Sequence, residues 1–182
     1  MPIGSYAILS CIMQEAQVKK PKSILDVGIG YGIYGPAFRQ WLDMGVKPYK
    51  TIIDGVEGFP AYRSAAWQEY NSIAVQDIAQ FESPFKYDMI VFSDVIEHFD
   101  KLKGAHVVSK LKGFLNPGGI LFIGTPAVWL AQTDVHGNEL ERHRSLWTVN
   151  DFPDCEVILD GSQFLGTEMI LVKYTKPNES KN

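Results

Sequence analysis

The sequence predicts an α/β fold: a mostly parallel, seven-stranded sheet with helices on both faces. Three observations carry that prediction. Short apolar runs of strand length alternate with segments whose apolar residues recur at helical spacing. "YDMIVFSD" is apolar almost throughout between its ends, as strands covered on both faces are. The residues at the carboxyl ends of the first four strands are Gly28, Glu57, Asp77 and Asp94, and ligands of parallel sheets bind at that edge. The chain of 182 residues holds these elements in a single domain, placed at residues 1–176, with a polar tail at 177–182 expected to be disordered.

Taken in order, Ile8, Leu9, Ile12, Met13 and Ala16 form a helical stripe, with Ser5 placed to cap it and Pro21 to end it. "SILDVG" is the first strand. Pro36 suits the first turn of the next helix, Phe38, Trp41 and Leu42 supply its inner face, and Gly45 closes it. "TIIDGVE" is the second strand, "AYRSAAWQEY" a helix, "SIAVQD" the third strand and "YDMIVFSD" the fourth. Val107, Val108, Leu111, Phe114 and Leu115 mark the inner stripe of a further helix. "NPGG" turns the chain into the strand "ILFIGT", and "CEVIL" and "EMILVKY" complete the sheet.

Bulk properties exclude several functions. The formal charge is −4 and the 17 basic residues are scattered, whereas a duplex-binding protein is usually basic. Lys101, Lys103, Lys110 and Lys112 read as the solvated face of one helix. No apolar run approaches the roughly 20 residues a membrane-spanning helix needs. "MPIGSYAILSCIM" lacks the basic start of a signal peptide. Cys11 and Cys155 lie far apart without a C-x-x-C pair, which predicts reduced, buried thiols in a cytoplasmic protein and no structural zinc.

"LDVGIGYGIYG", residues 25–35, allows two chemistries. From Gly30 it fits G-x-G-x-x-G, the turn that wraps a pyrophosphate. From Asp26 it is an acid followed by Gly28, Gly30 and Gly32. A carboxylate two residues before the turn opposes a phosphate but suits a cation. Further runs follow in order: "DGVEGF", "VQDIAQF", "YDMIVFSDVIEHF" and "LNPGGILFIGTP". From about residue 22 to at least 128 the chain resembles the class I S-adenosylmethionine-dependent methyltransferases, of a compact and little-characterised branch. That resemblance implies a Rossmann-like sheet whose last strand is antiparallel, with S-adenosylmethionine as cofactor. It implies that Gly28 and Gly30 let the backbone approach the cofactor, that Asp26 faces the methionine ammonium, directly or through water, and that Gly32 opens the helix. Glu57 would take both ribose hydroxyls, because two carboxylate oxygens match a vicinal diol. Phe59 would pack on the adenine, Asp77 and the Ile78 amide would bond its edge, and Ser93 would meet the methionine end.

"SDVIEHFD" adds a second constellation. If it is helical, Asp94, Glu97 and His98 share one face. With His143 from "HGNELERHRSLWT", which also holds His136, they resemble the metal set of ubiquinone-pathway O-methyltransferases and small-RNA terminal methyltransferases. Those proteins carry glutamate where this chain has the shorter Asp94. A divalent metal at Asp94, Glu97, His98 and His143 is one reading. The favoured one makes His143, then His98, a general base that takes a hydroxyl proton. "ERHRSLWTVNDF" follows the fifth strand and is expected to reach over the reacting methyl, with Thr148 capping a short helix and Phe152 in the core. The function expected is O-methylation of a small-molecule or glycan hydroxyl. Two alternatives stay open: a non-catalytic cofactor-binding or structural subunit, and metal-assisted methylation of a terminal RNA hydroxyl.

Overall fold

The computed structural model describes residues 5–161 and 168–178. Helix α1 (Tyr6–Lys19) leads into β1 (Ser23–Val27), followed by α2 (Tyr34–Leu42), β2 (Ile52–Glu57), β3 (Ser72–Val75) and β4 (Tyr87–Ser93). Helix α3 (Lys101–Gly113) precedes β5 (Leu115–Pro126), β6 (Glu156–Asp160) and β7 (Met169–Thr175). The sheet order is β3-β2-β1-β4-β5-β7-β6. The first five strands are parallel, while β7 is antiparallel to β5 and β6 to β7. The seven-stranded sheet with an antiparallel last strand is therefore as expected. Among the described residues no helix is long and apolar enough to cross a membrane.

Two apolar layers clamp the sheet. Ile8, Ile12 and Ala16 of α1 and Phe38 of α2 are fully buried against Ile24, Ile53, Met89 and Phe122 on one face. Val107, Val108 and Leu111 of α3 cover the other, joined by Trp147 and Phe152. The four lysines of α3 are tethers as well as a solvated face. Lys101 pairs with Asp151, Lys103 with Asp77, Lys110 with Glu82 and Lys112 with Asp154. Thr148 and Asp151 form a reciprocal capping box on a short 3₁₀ turn, so the expected cap at Thr148 is present.

Several local expectations are corrected. "AYRSAAWQEY" is not an α-helix but two 3₁₀ turns, Pro60–Tyr62 and Ala65–Glu69. Its polar groups are drawn to the glycine turn: Ser64 Oγ donates to Tyr31 O at 2.6 Å, and Trp67 Nε1 to Gly30 O at 2.8 Å. Trp41 is half exposed, and Arg39 instead fills the inner face of α2. "NPGG" lies within β5, as a register irregularity against β4 with Gly118 at φ +70°, so the strand is kinked where a turn was expected. Ser5 occupies the N-cap of α1 without a side-chain cap; its amide donates to Asp94 Oδ2 at 3.1 Å. Both thiols are free and only partly buried.

Candidate active site

A cavity of about 260 Å³ opens at the carboxyl edge of the strands, beside the switch point where β1 is flanked by β2 and β4. Its walls come from Gly28 and Gly30 after β1, Glu57 after β2, Asp77 and Ile78 after β3, and Ser93, Asp94 and His98 after β4. The sheet order alone makes neighbours of residues up to 70 positions apart.

The glycine turn is built for close approach. Gly28, Gly30 and Gly32 all have positive φ, at +77°, +52° and +91°. A Cβ on Gly28 would overlap Val95 Cγ2. Gly28→Ala is therefore expected to cost at least ~1–2 kcal/mol of stability from backbone strain alone and to weaken nucleoside binding about tenfold or more. Urea unfolding and calorimetric titration would check both effects.

Glu57 is 6% exposed yet reaches the cavity wall. Oε2 accepts from Gly30 N and Oε1 from Phe59 N, both at 2.8 Å, which aims the carboxylate. Burial raises its pKa, and the amides of Gly30, Phe59 and Gly58 oppose that rise. Asp77 Oδ1 accepts from Ala79 N at 2.9 Å, so it shapes a turn while still lining the cavity beside Ile78.

Three predicted cofactor contacts are not cavity walls. Asp26 is 1% exposed and lies beneath the turn, where Tyr70 OH donates to Oδ2 at 2.6 Å and itself accepts from Gly35 N at 3.0 Å. Its carboxyl thus braces the loop and does not face the cavity directly. Phe59 packs edge-on against Tyr62 with ring centroids 4.9 Å apart. Gly32 turns the chain through Gly32 N to Ile29 O at 2.7 Å, two residues before α2 begins.

The expected helix after Ser93 is a single 3₁₀ turn, Ile96–His98, entered through Asp94 at φ +56°. Asp94 therefore leaves the face shared by Glu97 and His98. Its Oδ2 accepts from Ser93 Oγ at 2.6 Å and from Ser5 N. The donor atoms of Glu97, His98 and His143 do converge, all within 4.8 Å of one another. The imidazole centroids are 5.0 Å apart. His143 Nδ1 lies 2.7 Å from Leu130 O, which assigns its ring hydrogen to Nδ1; His98 Nδ1 lies 3.4 Å from Arg142 O, and the His98 ring also meets the Asp94 backbone. Glu97 accepts from Thr125 Oγ1 at 3.1 Å. Two neutral imidazoles and one carboxylate are a donor set that fits Zn²⁺ or Mn²⁺. His136 is exposed and takes no part.

Sequence reasoning missed Tyr34 and the part of the cover contributed by Asn138 and Leu140, ahead of the 141–152 run expected over the site. Asn138 Nδ2 donates to Tyr62 OH at 3.2 Å, and Leu140 sits on Gly58. Arg144 N and Ser145 N donate to Glu97 O, and the Arg144 guanidinium donates to His98 O at 2.8 Å.

Burial perturbs the ionisable groups in opposite directions. Asp26 rises from 3.8 to about 7 because of burial, and Glu97 from 4.5 to about 8 because of burial and the charge of Asp94. His98 falls from 6.5 to about 4 because of burial and the neighbouring His143. The acids' contribution to stability is whole below their ordinary values and is lost as pH climbs through about 7 to 8. The His98 contribution is present above pH 6.5 and lost as pH falls through about 4. Between about pH 4.5 and 6.5 the two acids outweigh the one histidine, so the ligand-free protein is expected to melt higher at about pH 4.5 than at about pH 8, which thermal scans across pH would check.

A glycine turn and an acid-edged cavity at the carboxyl ends of the strands, on this sheet order, define a domain of the class I methyltransferase type. The chain belongs to the methyltransferase domain family, whose model matches residues 7–154. It is similar to the ubiquinone biosynthesis O-methyltransferase of Histophilus somni (strain 2336), with 28% identity over 127 residues, 64% of this chain and 50% of that protein. The chain spans about half the length of the curated relatives it matches. Its fold is similar to that of an O-methyltransferase family protein from Burkholderia thailandensis, at TM-score 0.68 and 14% identity over 95% of this chain and 56% of that one. It is also similar to S-adenosylmethionine-bound CalS10, an amino pentose methyltransferase from Micromonospora echinaspora, at TM-score 0.61 and 13% identity over 93% and 91% of the two chains.

Proposed function

We propose that the chain transfers a methyl group from S-adenosylmethionine to a hydroxyl of a small molecule or glycan. The cofactor supplies an electrophilic methyl on a sulfonium. The residues present fit it: Glu57 is aimed for a diol, Asp77 and Ile78 stand where the base would lie, and the turn at Gly28 has no room for a side chain. The protein's part is to hold the acceptor oxygen in line, exclude water and remove a proton.

The observation that carries the hydroxyl reading is the His98–His143 pair beside the cavity, with imidazole centroids 5.0 Å apart. A neutral amine needs no base, whereas a hydroxyl does. Burial lowers both imidazoles, His98 to about 4, so both are neutral near pH 7. His143 keeps more basicity through its short bond to Leu130 O and is the stronger candidate; His98, on the cavity wall, comes second. Labelled methyl transfer to a panel of phenols, sugars and amines would test this. With a hydroxyl acceptor, His143→Ala is expected to lower kcat about 100-fold while the KM for cofactor stays within about threefold. Turnover of amines alone, or an unaffected kcat, would refute it.

The convergence of Glu97, His98 and His143 favours a second reading, in which a divalent cation held by these three groups lowers the acceptor hydroxyl's pKa. In that case chelation removes activity, a stoichiometric metal is measured in the active protein, and added metal restores turnover.

A further inference from the structure

Tyr34 is a polar group the fold buries and leaves without a partner. It is 4% exposed at the start of α2 and lines the cavity, yet its hydroxyl has no hydrogen-bond partner among the described residues. Ser93 lies close by and, with its Oγ–H given to Asp94 Oδ2 at 2.6 Å, its oxygen could still accept, but it lies outside hydrogen-bonding geometry of the Tyr34 hydroxyl. Leaving a buried hydroxyl unsatisfied costs free energy, and proteins rarely do so without use. Burial, with Asp94 and Asp26 nearby, holds the phenol far above its ordinary range, so it is a neutral O–H donor.

The position of Tyr34 in the cavity says what it could meet. The diol-binding Glu57 and the Asp77–Ile78 edge stand at the ends of β2 and β3. Tyr34, Ser93 and Asp94 stand at the other side, by the end of β4. A nucleoside anchored at the first end directs its 5′ substituent to the second. That substituent carries an ammonium and a carboxylate. Acceptors for the ammonium are plentiful there. Donors for the carboxylate are fewer: of the cations on the wall, Lys103 pairs with Asp77 and the Arg144 guanidinium donates to His98 O, Arg142 O and Glu139 O, and several amides of the glycine turn are already used. Gly28 N and Ile29 N donate to Val56 O, Gly30 N to Glu57, Gly32 N to Ile29 O and Gly35 N to Tyr70 OH.

We propose that the Tyr34 hydroxyl donates to the carboxylate of the cofactor's amino-acid end, making Tyr34 the residue that distinguishes the full cofactor and its product from nucleosides lacking that end. This rests on the reading of the cavity as the S-adenosylmethionine site. An interaction with a charged partner, formed by a donor that is otherwise orphaned, predicts an unusual pairing of effects. Removing the hydroxyl relieves the empty protein and weakens the complex.

The test is calorimetric titration of the full chain and of Tyr34→Phe with S-adenosylhomocysteine and with 5′-methylthioadenosine, which lacks the amino-acid end, together with thermal melts without ligand. Tyr34→Phe is expected to bind S-adenosylhomocysteine about tenfold more weakly, to bind 5′-methylthioadenosine within twofold of the wild type, and to melt at or above the wild-type temperature. Unchanged binding of S-adenosylhomocysteine, or equal loss of both ligands, overturns the proposal. So does a lower melting temperature or failure to fold, since the hydroxyl would then have a partner in the empty protein. Wild-type protein that binds neither ligand overturns the cofactor reading itself, and the role of Tyr34 with it.

Discussion

Glu57→Ala is expected to weaken S-adenosylmethionine binding about 100- to 10,000-fold, which calorimetric titration would measure. The magnitude follows from two hydrogen bonds to a charged acceptor, each worth about 1.5–3 kcal/mol. The loss has a second part. Glu57 also orients the turn by accepting from Gly30 N and Phe59 N, so its removal leaves two amides unpaired and loosens the loop that carries Gly28. Glu57→Gln keeps the size and one acceptor oxygen, and its affinity is expected to fall between those of the alanine variant and the wild type. An alanine variant that binds as the wild type does would show that the cavity holds something other than a ribose.

Arg39→Ala carries the largest expected effect on folding, a loss of about 3–5 kcal/mol measured by urea unfolding. Arg39 is 4% exposed and fully engaged. Nε donates to Glu69 O, Nη1 to Asp43 Oδ2 and Thr51 O, and Nη2 to Asn71 Oδ1, at 2.6 to 2.8 Å. One guanidinium therefore ties the end of α2 to the start of β2 and to the segment entering β3. Alanine would leave the Asp43 carboxylate buried without its cation. Against a typical total stability of about 5–15 kcal/mol, that loss is a large fraction. Arg39→Lys is expected to recover only part of it, because an ammonium is a point charge and cannot span four acceptors in a fork. A loss below about 1 kcal/mol for alanine would contradict this account.

Much of the fold was legible because its signals are local. The doubly buried β4, the stripes of α1 and α3, and the strand-end positions of Glu57 and Asp77 follow from periodicity and spacing within a few residues. What was not legible depends on distant partners. Asp26 is held by Tyr70, 44 residues away, and so braces the loop from beneath. The segment at 61–70 reads as a helix, but Ser64 and Trp67 bond to the glycine turn and it folds as 3₁₀ turns. A positive φ at Asp94 breaks the helix that would have aligned it with Glu97 and His98.

The bare order of residues was enough to require a parallel sheet, because strands apolar on both faces are stable only between helices. It was also enough to place a glycine turn and two acids at one edge, since each lies where its strand stops. Which side chains turn into the cavity depended on the three-dimensional packing. Tyr34, the histidine pair and the Arg39 clamp gain their roles from groups that approach across the sheet, and a buried polar atom acts according to which neighbours are, or are not, there to bond it.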